Sequence, residues 1–315
     1  MATIVTLTMN PALDKNTAVD RVVAERKLRC REPHTEPGGG GVNVSRALHR
    51  LGGNSAAIYP AGGPAGERLQ LLLKEEGITY FTVPVKGETR ENLIVFEETS
   101  TQQYRFGMPG PVLSDDEWQR CIARISSFSP VPDYIVASGS LPRGVPPDFY
   151  AEVARTAKVL GSKMVLDAPA DALCPAVEEG VFMIKPNLHE LEEITGQKIS
   201  SASEQEDAAR EILRKGTCSI IVLSLGAEGA LLVTGETSER IRAPAVPVRS
   251  KVGAGDSMVA GIVLSLAMGR SLHDAVVYGV AAGAAAVMTS GTELCRREDT
   301  ERLFESMLER EHALA

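Results

Sequence analysis

The stretch Lys251–Gly261 combines two glycines and one carboxylate directly before an apolar run that predicts a helix. Gly253 and Gly255 allow positive φ angles, so successive backbone N–H groups can point into one concavity. A helix that begins at about Gly255 adds its own free N–H groups and the positive end of its dipole. The stretch therefore predicts a phosphate site beside which Asp256 can act as a base. The alternative is an ordinary turn in which Asp256 only caps the helix.

A second group of polar residues lies where predicted strands end or predicted helices begin, which is where open α/β sheets bind ligands. Its members are Asp14, Gly39 to Gly41, Asn43, Ser138 to Ser140, Lys185 to Asn187, Glu190 and Ser224 to Gly229. Two arginines, Arg90 and Arg105, lie in irregular β segments. The combination favours a ligand site at one edge of the sheet.

Each of these residues also has a purely structural explanation. Asn43 and Asn187 are good helix caps, and Glu190 stands three residues after Asn187, where it closes a capping box. Asp14 follows a proline and suits a turn. Arginines on strands are usually solvated surface residues. The residue types alone leave both explanations open.

Several familiar catalytic motifs are absent from the sequence. It contains no GxxxxGK[ST] phosphate loop, no HExxH metal pair and no GxSxG nucleophile turn. The tetraglycine Gly38–Gly41 is not a dinucleotide-binding motif, because Asn43 and Val44 occupy the positions where its third glycine would fall. Any phosphate chemistry must therefore depend on another arrangement.

The surrounding elements alternate between strands and helices. Short apolar runs at 134–138, 163–167 and 219–224 predict strands, and amphipathic stretches at 114–127 and 203–215 predict helices. This alternation is typical of an α/β fold in which a mostly parallel sheet is covered by helices on both faces.

Two β-rich excursions, about 13–37 and 87–107, do not fit that sheet. They predict a small β lid inserted into a single domain that spans residues 1–315. An isolated lid sheet would expose an apolar face and open edges, so we expect a homodimer.

The composition excludes several classes of protein. A net charge of −8 and a pI near 5.3 argue against a nucleic-acid partner or an acidic membrane surface. The first residues lack a basic segment followed by an apolar core of signal length, and no apolar run has the length of a membrane span. Five scattered cysteines without CxxC spacing suit reduced thiols, so a cytoplasmic protein is expected.

Over nearly its full length the chain resembles the ribokinase-like (PfkB-type) carbohydrate kinases. The motifs that support the resemblance are Pro37–Asn43, Lys185–Glu190, Ser224–Gly229 and Val252–Ser257. Within the family the chain is most similar to the bacterial minor 6-phosphofructokinases. That similarity rests on Leu7–Asp14, Arg26–Cys30, Tyr104–Gly110 and Gly291–Cys295.

The resemblance implies an α/β fold, a ribokinase-like three-layer sandwich with a mainly parallel central sheet plus a small β-sheet lid that clasps a second subunit. It implies ATP-dependent phosphorylation of fructose 6-phosphate to fructose 1,6-bisphosphate. Kinases for fructose 1-phosphate or tagatose 6-phosphate share much of the pattern and are the alternatives. A non-catalytic sugar-phosphate-binding protein is a remote one. The sequence departs from the family pattern at Arg26, where a glycine is expected, and at Arg143. These departures concern fine substrate contacts and leave catalysis untouched.

The resemblance also implies roles for individual residues. Asp256 is the expected base, and the amides of Gly253, Ala254, Gly255 and Asp256 form an anion hole. The expected sugar-phosphate contacts are Asp14, Gly39, Gly40, Asn43, Arg90, Arg105, Ser138 and Gly139. The expected ATP contacts are Lys185, Asn187, Ser224, Gly226, Gly229, Val280 and Ala284. Asn187 and Glu190 are expected to organise Mg²⁺ through water, and family members often hold K⁺ near Ser250, Val252, Ala286 and Gly291.

Elementary chemistry supports these implied roles. Phosphoryl transfer needs positioning, neutralisation of phosphoryl oxygens and a carboxylate that accepts the hydroxyl proton. A doubly negative sugar phosphate needs cations, and planar arginines bind phosphate bidentately. A sugar without phosphate would leave Arg90 and Arg105 without that role, which favours a sugar-phosphate kinase.

Overall fold

The structure, a computed structural model, describes residues 2–215 and 218–314. Its strands are β1 (Ile4–Leu7), β2 (Ala12–Val19), β3 (His34–Gly38), β4 (Ala56–Ala61), β5 (Thr79–Pro84), β6 (Arg90–Glu97), β7 (Gln102–Phe106), β8 (Tyr134–Ser138), β9 (Lys163–Asp167), β10 (Val181–Ile184), β11 (Cys218–Ser224), β12 (Ala230–Thr234) and β13 (Ser238–Ile241).

The helices connect these strands or pack on them. They are α1 (Gly40–Arg50), α2 (Gly63–Glu75), α3 (Asp115–Ser126), α4 (Phe149–Leu160), α5 (Ala170–Glu179), α6 (Leu188–Thr195), α7 (Ala202–Arg214), α8 (Ala254–Ala267), α9 (Leu272–Val287) and α10 (Arg297–Leu314). In the part of the chain described, no helix combines the length and the apolar character needed to cross a membrane.

Nine strands form the main sheet in the order β13-β12-β11-β10-β9-β8-β1-β4-β5. The pairs from β11 through β5 are parallel, whereas β12 and β13 add to one edge in antiparallel fashion. The sheet is therefore mostly parallel, as predicted. The strand order reverses beside β1, because β4 lies on one side of it and β8 on the other. Such a reversal is a topological switch point, and ligands of open α/β sheets bind there, at the carboxyl ends of the strands.

Successive side chains of a strand point to opposite faces of the sheet. The buried central strands therefore contribute side chains to two hydrophobic cores, one on each face. In β8, Ile135 and Ala137 belong to the core beneath α3, α4, α5, α6 and α7, whereas Val136 belongs to the other core. That second core contains residues of α1, α8, α9 and α10. The result is the predicted arrangement of three layers with the sheet in the middle.

A separate four-stranded sheet has the order β3-β2-β6-β7. It comes from the two excursions that the sequence did not fit to the main sheet. β2 follows β1 after a four-residue connection, and β3 leads directly into α1. The small sheet is therefore attached at the carboxyl edge of the main sheet.

Two elements were not predicted from the sequence. β5 is an edge strand, and α5 contains Pro175, which removes a backbone donor inside the helix. Leu173 and Ala176 of that helix are fully buried, so packing against the sheet stabilises it despite the proline.

Candidate active site

The first turn of α8 forms the centre of the site. Gly253 precedes the helix with a φ of 74°, in the left-handed region that favours glycine. A side chain there would also overlap Leu294 Cδ2. The helix begins at Ala254, and its first N–H groups have no acceptor within the helix. The helix terminus that the glycine spacing predicts is therefore present, with a positive φ at Gly253 and a helical Gly255. Its free N–H groups are of the kind that bind anions.

Asp256 lies in this first turn, where its carboxylate meets an amide from another element. Asn43 Nδ2, on α1, donates a hydrogen bond of 2.9 Å to Asp256 Oδ2. Burial and the nearby charge of Asp167 raise the pKa of Asp256 to about 7, although the Asn43 bond and Lys185 act in the opposite direction. A carboxylate with this pKa is well matched to accepting a proton near neutral pH.

Lys185 follows β10 and is almost completely buried beside the α8 terminus. Its Nζ lies 3.1 Å from Asp167 Oδ1, at the end of β9. Burial disfavours its charge, but the attraction of Asp167 prevails and the pKa of Lys185 is raised. A Cβ built on Gly255 would lie 3.4 Å from this ammonium group. A permanent cation therefore stands next to the amides of the α8 terminus.

The amino end of α1 approaches the carboxyl end of β8. Gly39 and Gly139 have φ angles of 105° and 107°, which other residues rarely adopt. A side chain on Gly40 would overlap Ser138 Oγ. The predicted residues Gly39, Gly40, Ser138 and Gly139 therefore meet in one place, where only glycine allows the close approach.

Asp14 lies on β2 of the small sheet, almost completely buried. Its Oδ1 accepts a hydrogen bond of 2.8 Å from Asn92 Nδ2 on β6. Burial raises the pKa of Asp14, although the Asn92 bond and Arg90 oppose the effect. A side chain on Gly38 would overlap the Asp14 carboxylate, so that glycine leaves the space that the carboxylate fills.

The two predicted arginines share one face of the small sheet with Asp14. Asp14 pairs with Asn92, two residues after Arg90, and Arg105 lies opposite Ile94 on the next strand. Paired residues and residues two apart point to the same side of a sheet. Arg90 and Arg105 thus extend from the same face as the buried Asp14.

Arg90 is held by backbone oxygens, whereas Arg105 is exposed. Arg90 Nη2 donates to the Asn10 carbonyl at 2.8 Å, and Nη1 to the Met108 carbonyl at 3.2 Å. Its buried Nε has no hydrogen-bond partner among residues 2–215 and 218–314. Burial lowers the pKa of Arg90. The guanidinium therefore retains donor capacity for an anionic ligand.

The predicted nucleotide residues lie at the ends of neighbouring strands. Asn187, three residues after β10, forms an isolated parallel bridge with Ser224, the last residue of β11. Gly226 and Gly229 follow, with φ angles of 59° and 101°. A side chain on Gly229 would overlap the Ile241 carbonyl, so glycine is required there.

Val280 and Ala284 come from a different element, α9, and both are buried. Between them in sequence, a Cβ built on Gly283 would lie 3.2 Å from the Ala254 carbonyl. This close approach brings α9 against the beginning of α8.

Asn187 and Glu190 form the capping box that the sequence left open as an alternative. The Glu190 N–H donates to Asn187 Oδ1 at 2.9 Å, and the Asn187 N–H donates to Glu190 Oε2 at 2.8 Å. Burial raises the pKa of Glu190, and the charge of Asp167 adds to the effect. Asp167 thus acts on both Glu190 and Asp256, and the site has an excess of negative charge that suits a divalent cation.

The four residues expected near a monovalent cation also lie together. Ser250 Oγ donates to the Gly291 carbonyl at 2.9 Å, and the Val252 N–H donates to Ser250 Oγ at 3.2 Å. The Ser250 N–H in turn bonds the carbonyl of Val287, the residue after Ala286, at 3.3 Å. Carbonyl and hydroxyl oxygens are the ligands that hard cations take.

The family model for pfkB family carbohydrate kinases matches residues 7–299. The chain belongs to the pfkB family. This match covers every residue of the site described above.

Curated members of the pfkB family align over most of the chain. ATP-dependent 6-phosphofructokinase isozyme 2 of Mycobacterium tuberculosis is 43% identical over 302 residues, which cover 96% of this chain and 89% of that protein. The Escherichia coli protein of the same name is 41% identical over 305 residues, covering 96% and 98%. A 1-phosphofructokinase of Bacillus subtilis is 33% identical, covering 92% and 95%.

Solved structures of pfkB kinases have the same fold. Phosphofructokinase-2 of Escherichia coli in complex with potassium matches with a TM-score of 0.93 at 40% identity, covering 98% of this chain and 100% of that one. The same enzyme in complex with fructose-6-phosphate, and its tetrameric inhibited form, each match with a TM-score of 0.92 at 39% identity and the same coverage.

Two polar residues of the site were not singled out from the sequence. Asp167 is the last residue of β9, so its place at the carboxyl edge of a predicted strand was a usable signal. Asn92 had no such signal, because a polar residue in a lid strand is ordinary until its partner Asp14 is known.

Proposed function

We propose that this chain is an ATP-dependent 6-phosphofructokinase that converts fructose 6-phosphate to fructose 1,6-bisphosphate. The observation that carries the proposal is Asp256, a carboxylate with a pKa of about 7 inside an anion-binding helix terminus. Sequence similarity to 6-phosphofructokinases, higher than to the 1-phosphofructokinase of Bacillus subtilis, supports this choice of sugar phosphate.

Asp256 is the general base. It accepts the proton of the sugar 1-hydroxyl while that oxygen forms a bond to the γ-phosphorus of ATP. The bond between the γ-phosphorus and the bridging oxygen breaks, and the electron pair leaves with ADP. Because its pKa is raised to about 7, the carboxylate is basic enough to accept a proton near neutral pH.

The amides of Gly253, Ala254, Gly255 and Asp256 receive the transferring phosphoryl group. They are fixed before the reaction by the helix and by the φ angle at Gly253, so little reorganisation is needed as charge develops. Lys185, close to Gly255, adds a positive charge on the nucleotide side. The site therefore stabilises phosphoryl oxygens without a Walker lysine.

The sugar phosphate lies between α1 and the small sheet. Asn43 uses Nδ2 on Asp256, while its buried Oδ1 has no partner in the described chain and is free to accept from a sugar hydroxyl. Asp14 accepts a hydrogen bond from a second sugar hydroxyl. Arg90 and Arg105 bind the phosphate of the sugar. The remaining sugar contacts are Gly39, Gly40, Ser138 and Gly139.

ATP is the co-substrate, and Mg²⁺ neutralises its phosphate oxygens when bound. The nucleotide contacts are Lys185, Asn187, Ser224, Gly226, Gly229, Val280 and Ala284. Among the described residues no cluster of three or more acidic, His or Cys side chains forms a direct metal site. Asn187 and Glu190 would hold Mg²⁺ through water, close to the negative charge of Asp167. K⁺ binds at Ser250, Val252, Ala286 and Gly291.

A substrate panel tests the choice of sugar. The purified protein is assayed with fructose 6-phosphate, fructose 1-phosphate and tagatose 6-phosphate under ATP and Mg²⁺, and kcat/KM is compared. We expect fructose 6-phosphate to be preferred by about tenfold or more. A preference for either of the other two contradicts the proposal, and no turnover of any of them favours a non-catalytic binding protein.

The protein acts as a homodimer through the outer face of the small sheet. Leu93 and Phe106 are paired on that face and remain 37% and 49% exposed. A second copy of the chain covers these two side chains.

Analytical ultracentrifugation tests the proposed dimer. Phe106→Asp should give single chains. Met268→Asp, at an exposed apolar residue after α8, is the control and should leave the dimer intact. A single-chain mass for the unaltered protein contradicts the proposal.

A further inference from the structure

A buried arginine on α1 connects three separate parts of the fold. Arg46 has no exposed surface, and its guanidinium binds the Glu76 carboxylate in bidentate fashion at 2.8 and 2.7 Å. Its Nη1 donates to the carbonyls of Pro37, on β3, and Thr292 at 2.9 and 3.1 Å. A buried charge needs all of these partners. Arg46 therefore holds the loop 289–294 against the base of the small sheet.

Glu36, the neighbour of Pro37, joins the same loop to two strands of the small sheet. Its Oε2 accepts from Asn16 Nδ2 on β2 at 2.9 Å. The same oxygen accepts from the N–H and the hydroxyl of Thr292 at 3.0 and 2.8 Å. Its Oε1 lies 3.7 Å from Arg46 Nη2. One carboxylate thus binds β2, β3 and the loop together.

The loop 289–294 borders the anion hole. Leu294 has a φ of 66°, although it is not glycine, and its buried side chain fills the space beside Gly253. The Gly291 carbonyl accepts the Ser250 hydroxyl at 2.9 Å. The loop therefore contacts the segment that leads into α8 at two points, and a shift of the loop displaces the amides that receive the phosphoryl group.

Glu36 also stands opposite the proposed sugar ligand Asp14 in the β2–β3 pair. We propose that Glu36 is a positioning residue that couples the sugar-binding sheet to the anion hole through Thr292 and Leu294. The inference rests on the proposed function. Glu36 touches neither substrate; it fixes the distance between the sugar contacts of the small sheet and the amides of the α8 terminus.

Kinetics of Glu36→Ala, Glu36→Gln and Thr292→Val test the coupling. We expect Glu36→Ala to reduce kcat by about 30- to 100-fold, because a misplacement of about 1 Å has an effect of this size. The Kd of fructose 6-phosphate, measured without ATP, should change by less than about threefold. The double variant Glu36→Ala/Thr292→Val should have the kcat of Glu36→Ala alone, because both residues act through one contact. If the two single reductions in kcat multiply in the double variant, the proposal is wrong.

Glu76→Gln is the matched control, because it removes a carboxylate from the same buried arginine without touching Thr292 or Asn16. It should lower thermal stability while kcat stays within about twofold of the unaltered protein. If Glu36→Ala and Glu36→Gln behave in the same way as Glu76→Gln, Glu36 is merely structural and the proposal is wrong.

Hydrogen exchange separates this proposal from the identity of the sugar. Fructose 6-phosphate, added without ATP, should protect the amides of 250–257 and 289–294 in the unaltered protein and not in Glu36→Gln. If the substrate panel selects another sugar phosphate, the proposed function fails and the same comparison is made with that compound. Equal protection with and without the Glu36 carboxylate overturns the coupling whichever sugar is used.

Discussion

Replacing Asp256 with asparagine should have opposite effects on turnover and on stability. The amide keeps the size of the side chain and an oxygen for the Asn43 bond, but it cannot accept the hydroxyl proton. General bases contribute factors of about 10² to 10⁴, so kcat should fall by that amount while the sugar phosphate still binds. This reduction corresponds to a barrier higher by about 3–5 kcal/mol.

The effect on stability follows from the pKa of Asp256, which rises from 3.8 to about 7 on folding. Between these values the folded protein binds more protons than the unfolded chain, so stability is lost as pH rises from about 4 to about 7. The pKa difference corresponds to about 4 kcal/mol. Because Asp256 is only partly buried, screening by solvent reduces the loss, and Asp256→Asn should gain about 1–3 kcal/mol above pH 7.

The same pKa predicts the pH profile of kcat/KM. In the unaltered protein Asp256 loses its charge as pH falls below about 7, so kcat/KM should fall several-fold between pH 7.5 and pH 6. The residual activity of Asp256→Asn should lack this dependence. The assays are steady-state kinetics in buffers of constant ionic strength and urea unfolding at pH 8.

Asp274→Asn is the matched control, because Asp274 occupies the same position in the first turn of α9 as Asp256 in α8. It should leave kcat unchanged and lower stability by less than about 1 kcal/mol through the helix dipole. Unchanged turnover in Asp256→Asn refutes the base assignment. A loss of stability above pH 7 in that variant refutes the electrostatic reasoning.

Three further substitutions test separate parts of the site. Arg105→Ala should raise KM for fructose 6-phosphate about tenfold or more and KM for ATP less than threefold, since a guanidinium binds the sugar phosphate; equal increases contradict its placement. Lys185→Met removes a cation that lowers the pKa of Asp256, so the acid limb of the pH profile of kcat/KM should move to higher pH. Movement of that limb to lower pH contradicts the electrostatic role of Lys185. Gly253→Ala should reduce kcat and lower stability in urea by more than about 1 kcal/mol, because its φ of 74° disfavours alanine and the new methyl group overlaps a buried leucine. Gly269→Ala, with a φ of 79° and open space around it, is its control and should have the smaller effect.

Local signals in the sequence were sufficient for most of the elements. The strands at 134–138 and 163–167 have the predicted bounds, because short buried apolar runs between turn residues define them. Asn187 and Glu190 similarly define the start of α6 through three residues of chain. β5 and α5 escaped prediction because their stability depends on neighbours, with an edge position in one case and packing around Pro175 in the other.

By itself the sequence determined the local backbone of the proposed anion hole. Glycine spacing, the helix that begins at Ala254 and the carboxylate two residues later are all properties of one short segment. The tertiary structure alone determined how basic that carboxylate is. The pKa of Asp256 depends on burial and on the charges of Asp167 and Lys185, which come from different strands. Electrostatic energies depend on distances between groups, and these distances exist only once the strands lie side by side.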